Sequence, residues 1–108
     1  MSNMTEKLRP TYDLEAVKEA FSTEEGLSIT TTALRNAAAL GLLKADIVAV
    51  IQSMTRSQFV KSVTSYGNHR QWQDVYHVPI HSGVLYVKFR DDVVTRFHLL
   101  SFKEKDDG

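Results

Sequence analysis

Between Thr55 and Arg90 five basic residues (Arg56, Lys61, Arg70, Lys88 and Arg90) stand against one acid, Asp74, a local net charge of +4. Lys61, Tyr66, His69, Arg70, Gln73, Tyr86, Lys88 and Arg90, with Lys103 further on, supply cations, phenols, an imidazole and an amide. Phosphate chemistry that proceeds without a metal needs such a set, because the charge that builds on the phosphoryl oxygens must be met by donors and cations. Each residue also has an ordinary reading. Lys61 would be a solvated lysine on the polar side of a helix, Gln73 a strand residue facing water, Tyr86 an amphipathic residue at the core edge, and Lys103 a guard against edge pairing.

The whole chain limits what such a face can be. Its 13 basic and 13 acidic residues cancel, which argues against a generic polyanion binder. The acids gather at the front (Glu6, Asp13, Glu15, Glu19, Glu24, Glu25) and in the tail (Asp106, Asp107). With no cysteine, disulfides, thiolate zinc sites and cysteine nucleophiles are excluded. The opening MSNMTEKLRP lacks the apolar core of a secretory signal, and the longest apolar run, Ala37 to Leu43, is too short to span a bilayer. A cytoplasmic protein is expected. At 108 residues and 43% hydrophobic content one domain fits, over residues 11–105, with a flexible arm at 1–10 and a tail at 106–108. P-loop, GxGxxG, HExxH and nucleophile-elbow patterns are all missing.

The elements that must position the cations follow from periodicity. Pro10 discourages helix at Arg9. Asp13 can cap a helix from Leu14 to about Ser22, with Leu14, Val17 and Phe21 on one face. After a brief extended segment at Leu27 to Ile29, a threonine of the Thr30 to Thr32 cluster caps a helix from about Ala33 to Leu40, which Gly41 stops. Ala45 to Met54 reads as a core helix with Ile47, Val50, Ile51 and Met54 in one stripe. Thr55 to Gln58 has the capping-box pattern and predicts a fourth helix to about Thr64. Phe59 and Val63 would mark its buried side, with Lys61 about 200° around the axis from Phe59.

From Trp72 the period changes to two. Trp72, Asp74, Tyr76 and Val78 share one strand face, and Gln73, Val75 and His77 the other. Pro79, Ser82 and Gly83 break the chain. Val84 to Arg90 then alternates, with Leu85, Val87 and Phe89 inward and Tyr86, Lys88 and Arg90 outward, before a turn at Asp91-Asp92. The length of Val93 to Lys103 requires a bulge or bend, with Leu100 and Phe102 opposing Ser101 and Lys103 near its end. Trp72 reads as a core residue, Asp74 as a hydrogen-bonding anchor for the strand start, and His77, His81 and His98 as surface or pairing histidines with no metal-site spacing. The fold class is α+β: N-terminal helices packed on one face of a mainly antiparallel C-terminal sheet whose other face is partly free.

WQDVY at Trp72 to Tyr76, followed by LYVKF at Leu85 to Phe89 and SFKEK at Ser101 to Lys105, resembles the motility quorum-sensing regulator (MqsR) toxin family, small bacterial ribonucleases of type II toxin–antitoxin modules. The likeness runs from about Leu14 to Lys105. It implies a RelE-like fold and a metal-independent endoribonuclease that cleaves single-stranded mRNA at GC-containing sites such as GCU. The resemblance assigns the active site to Lys61, Gln73, Tyr86 and Lys103; the chemistry and placement of Tyr66, His69, Arg70, Lys88 and Arg90 make them the expected accessory RNA contacts, and no cofactor or metal is expected. It also implies a cognate antitoxin with a zinc-binding region and a DNA-binding helix-turn-helix, so that DNA is reached only through the partner.

Cutting RNA this way requires the 2′-hydroxyl to lose a proton, the phosphate to carry extra charge and the 5′-oxygen to gain a proton. Tyr86 fits as proton donor, proton acceptor or stacking ring. The base and the acid stay unassigned among Lys61, His69, Tyr86 and Lys103. A second class of function uses the same face without chemistry, as a module binding RNA or a protein regulator. DNA recognition by this chain is a weaker third, since no helix rich in Arg, Asn or Gln is visible.

Overall fold

In the computed structural model, which describes residues 5–106, three helices cover one face of a five-stranded antiparallel sheet. The strands are β1 (Glu6–Lys7), β2 (Phe59–Ser65), β3 (Asn68–Ile80), β4 (Gly83–Asp92) and β5 (Arg96–Glu104), and they neighbour one another in chain order. The helices are α1 (Leu14–Ala20), α2 (Thr31–Ala39) and α3 (Lys44–Ser53). The α+β architecture is thus the one the periodicity predicts.

Helix ends follow local chemistry. Thr30 accepts from the Ala33 N–H at 3.1 Å to cap α2, and Gly41, at φ +78°, takes the left-handed conformation that ends it. At α1, Asp13 holds the cap position without a side-chain bond. The segment before α2 lies along β5 through a bridge between Ile29 and Leu99.

Alternation builds the core. Leu85, Val87 and Phe89 of β4 are buried against the helices together with Tyr76, Leu99 and Phe102. Tyr76 and Phe89 stack with centroids 5.7 Å apart, and Phe59 meets Tyr76 edge-on at 5.5 Å. Burying each such ring contributes roughly 1.5–3 kcal/mol. Between Lys88 and Phe89 the pairing with β5 shifts by a residue. That bulge makes Leu99 and Phe102 the buried pair and leaves Leu100 only partly buried, where simple alternation expected Leu100 inward.

The predicted fourth helix does not exist. The capping box forms, with the Thr55 N–H donating to Gln58 Oε1 at 3.0 Å, but it opens only a single 3-10 turn at Arg56–Gln58. The chain then enters β2, whose Val60, Val63 and Thr64 suit a pleated surface better than a helix. A register shift between Phe59 and Lys61 turns Phe59 to the core while Lys61 and Val63 face the other way. The four-residue spacing of Phe59 and Val63 therefore mimicked one helical face when the two residues lie on opposite sides of a sheet.

Residues 5–10 of the expected loose arm, and the domain's first residues after them, are tied to the sheet, while residues 1–4 lie outside the described residues. Glu6 and Lys7 pair with Val63 and Ser62. The Thr5 N–H donates to Thr64 Oγ1 at 2.7 Å, and the Thr11 and Ser62 hydroxyls meet at 2.7 Å. Asp74, fully buried, accepts from the backbone N–H groups of Thr11 (3.1 Å) and Tyr12 (3.0 Å), so it anchors the entry to α1. The Tyr12 hydroxyl donates to the Trp72 carbonyl at 2.7 Å. Trp72 itself is half-buried under the Lys7 ammonium, 4.1 Å from the ring, and is not a core residue. β3 runs through Pro79, because pairing with β2 ends at Phe59 and Tyr76 and a missing N–H is tolerated where the strand has one neighbour only. The turn between β4 and β5 falls after Asp92, whose carboxylate accepts from the Val94 and Thr95 N–H groups at 3.2 Å.

Candidate functional site

Residues directly opposite on neighbouring strands project to the same side of a sheet, so the registers define rows on the face away from the helices. His77, Tyr86 and Lys103 form one row across β3, β4 and β5. Lys61, Val75, Lys88 and Ser101 form the next, across four strands. Val63 and Gln73 stand in a third. Lys61 reaches this face from strand β2 and not from an overhanging helix. Gln73, Tyr86 and Lys103 lie on the free face as their alternation predicts.

Rows are roughly 7 Å apart and strands roughly 4.8 Å apart, which fixes the proportions of the site. Lys61 and Lys103 arise three strand intervals apart, roughly 14 Å across the sheet. Lys88 lies between them. Gln73 and Tyr86 flank the lysine row from opposite sides. The accessory lysine is thus the central cation of the face.

Lys88 carries the electrostatic mark of that position. Burial, then the Lys103 and Lys61 ammonium groups, push its pKa below the ordinary lysine value. Burial raises the Tyr86 phenol, which stays protonated at neutral pH. Lys103 Nζ sits 5.4 Å from the Tyr86 ring centroid. Lys61 is held from the side by Glu6, with Nζ to Oε2 at 3.6 Å. No sequence signal links Glu6 to Lys61, because only the pairing of β1 with β2 brings them together.

His77 is the other side chain at the site that the sequence reading set aside. Its ring centroid is 5.9 Å from that of Tyr86, and the shared face with Gln73 and Val75 was the signal that could have placed it there. Burial first, then the Lys105 and Lys61 charges, lower its pKa below the ordinary histidine value.

The remaining candidates lie apart. Tyr66, 77% exposed, and the exposed His69 and Arg70 sit at the β2–β3 hairpin tip, where Gly67 at φ +84° makes the turn. They extend the face beyond Gln73 without joining the lysine row. Arg90 is drawn to the far end of β4, with its guanidinium 3.3 Å from Asp92 Oδ1 and 2.9 Å from the Asp91 carbonyl. A larger hollow of about 640 Å³ lies on the helix side, but there the Lys18 ammonium is bonded to the Met54 carbonyl at 3.0 Å. Among the described residues, only the sheet face offers several cations with a phenol, an imidazole and an amide, a surface able to hold a phosphodiester and stabilise added charge on it.

Comparison with known proteins points the same way. The family model described as motility quorum-sensing regulator, toxin of MqsA, matches residues 9–104. The chain is 37% identical over 100 residues to the mRNA interferase toxin MqsR of Escherichia coli (strain K12), across 93% of this chain and 99% of that protein.

Proposed function

We propose a function from one premise: this chain belongs to the motility quorum-sensing regulator toxin family. It is an mRNA interferase, an endoribonuclease toxin whose cutting of single-stranded mRNA arrests translation and growth. Cleavage is metal-independent and prefers GC-containing sites such as GCU. Its partner is a cognate antitoxin, with a zinc-binding region and a helix-turn-helix that carry the DNA contact. The protein works in the cytoplasm, where mRNA is; no helix among the described residues is long and apolar enough to cross a membrane.

The observation that carries the reading is the coincidence of Lys61, Lys88, Lys103 and Tyr86 on a sheet face that the helices leave open. The scissile phosphate lies over the centre of that face. Lys61 and Lys88 meet the charge that grows on its oxygens as the 2′-oxygen attacks. Tyr86, protonated, donates a hydrogen bond to a phosphoryl oxygen, and Gln73 orients the nucleotide from the next row. Lys103 gives a proton to the departing 5′-oxygen. The products are a 2′,3′-cyclic phosphate and a 5′-hydroxyl. Tyr66, His69 and Arg70 hold neighbouring nucleotides by stacking and charge.

Incubation with single-stranded RNA in the presence of a chelator tests this. The wild type cuts, and Lys61→Ala or Lys103→Ala slows cutting by roughly 10²-fold or more while the circular dichroism spectrum is retained. RNA that shifts in a gel without being cut would instead establish a binding module on the same face.

A further inference from the structure

Tyr86 has a cross-strand neighbour that the quartet of Lys61, Gln73, Tyr86 and Lys103 does not use. His77 lies directly opposite it on β3, and Lys103 lies directly opposite it on β5. The row order therefore puts an imidazole and an ammonium on opposite sides of one phenol. All three line a shallow depression of about 400 Å³, closed by Lys105 and Asp106. That volume lies within the range of small-ligand sites, and it opens on the free face.

We propose that His77 accepts the 2′-hydroxyl proton during RNA cleavage, an inference that rests on the ribonuclease reading and completes its proton balance. The O2′–H bond breaks and its proton passes to the unprotonated imidazole nitrogen. The freed electron pair forms the bond from O2′ to phosphorus. The bond from phosphorus to O5′ breaks, its electron pair stays on O5′, and the Lys103 ammonium protonates that oxygen. Imidazolium and amine then return to their starting states by proton exchange with water. In-line displacement needs acceptor and donor on opposite sides of the phosphorus, and His77 and Lys103 stand two strand intervals apart with Tyr86 between them.

The surroundings of His77 favour the acceptor role. Lys61 on β2, Lys88 on β4, Lys103 on β5 and Lys105 after it are cations on its side of the sheet, with Arg90 further along β4 and held by Asp92. The protonated phenol of Tyr86 is beside it, and Asp106 is the one carboxylate lining the depression. Burial, Lys105 and Lys61 together hold the imidazole below its ordinary pKa, so it is unprotonated at neutral pH and ready to act as base. Protonation at lower pH removes the acceptor, so the rate falls as pH drops through that lowered value.

Single-turnover cleavage of a short RNA, followed against pH in chelator, tests His77 directly. The expected results are a loss of about 10²-fold in the chemical step for His77→Gln with RNA affinity changed less than about threefold, disappearance of the acid limb seen in the wild type, and partial rescue of His77→Ala by added imidazole. Wild-type cleavage with an acid limb that persists in His77→Gln at near wild-type rate would overturn the assignment and leave the ribonuclease reading standing. A wild type that cuts no RNA would overturn both.

Discussion

Glu6 Oε2 lies 3.6 Å from Lys61 Nζ, so a carboxylate from the outermost strand engages one of the cations of the open sheet face. Both side chains are more than a third exposed, and such a pair contributes at most about 1 kcal/mol to folding. Glu6→Gln should therefore leave stability within about 0.5 kcal/mol and raise RNA affinity about threefold, since a partly screened charge near a phosphate is removed. Fluorescence anisotropy of a labelled RNA reads this, and the gain should vanish when Lys61 is already alanine. Equal gains in both backgrounds would mean that Glu6 repels RNA without acting through Lys61.

Lys88 should show a trade between stability and activity. Its folded pKa is depressed by burial and by two neighbouring ammonium groups, so at neutral pH the charged form is penalised in the folded state. The unfolded chain binds more protons between the lowered folded value and the ordinary one, and stability attributable to this group rises with pH through that window. Lys88→Met should then raise the urea midpoint at pH 7 and flatten this rise. It should also abolish cleavage and reduce the salt dependence of RNA binding by about 0.7 in log–log slope, as expected for one lost phosphate contact on a single strand. An unchanged slope would place Lys88 outside the RNA contact.

Asp74 ties the sheet to the segment that leads into α1. Its carboxylate accepts the Thr11 and Tyr12 N–H groups, and removing the side chain takes this acceptor from both donors. Asp74→Ala should cost roughly 3 kcal/mol, and Asp74→Asn, which keeps one acceptor oxygen, roughly half as much. Urea denaturation monitored by Trp72 fluorescence provides the measurement. Because Asp74 points to the helix side, Asp74→Asn should retain cleavage at temperatures where it is folded, and a specific loss of activity there would give WQDVY a catalytic carboxylate.

Where one strand face is apolar and the other polar, the sequence was sufficient. β4 carries Leu85, Val87 and Phe89 inward and Tyr86, Lys88 and Arg90 outward, and that alternation placed Tyr86 without any tertiary information. β2 does not announce itself as a strand because its buried polar residues, Ser62 and Thr64, disguise the period-two pattern. Their partners, Thr11 and Thr5, come from a segment more than fifty residues earlier. A capping box that opens only one turn then supplied a false helix start. Glu6 at the site was illegible for the same reason, since nothing local to β1 announces its pairing with β2. Arg90 was assigned by facing alone, and its capture by Asp92 depends on a turn that begins later than the Asp91-Asp92 dipeptide suggested.

The proposed cleavage depends on an RNA hydroxyl doing the attacking, and one substitution in the substrate tests that. An RNA carrying a single 2′-deoxy nucleotide on the 5′ side of the mapped cut should bind as the all-ribose strand does and resist cleavage there, while the unmodified strand yields a 2′,3′-cyclic phosphate and a 5′-hydroxyl in chelator. Cleavage of the deoxy-substituted linkage, or recovery of 5′-phosphate ends, would contradict it.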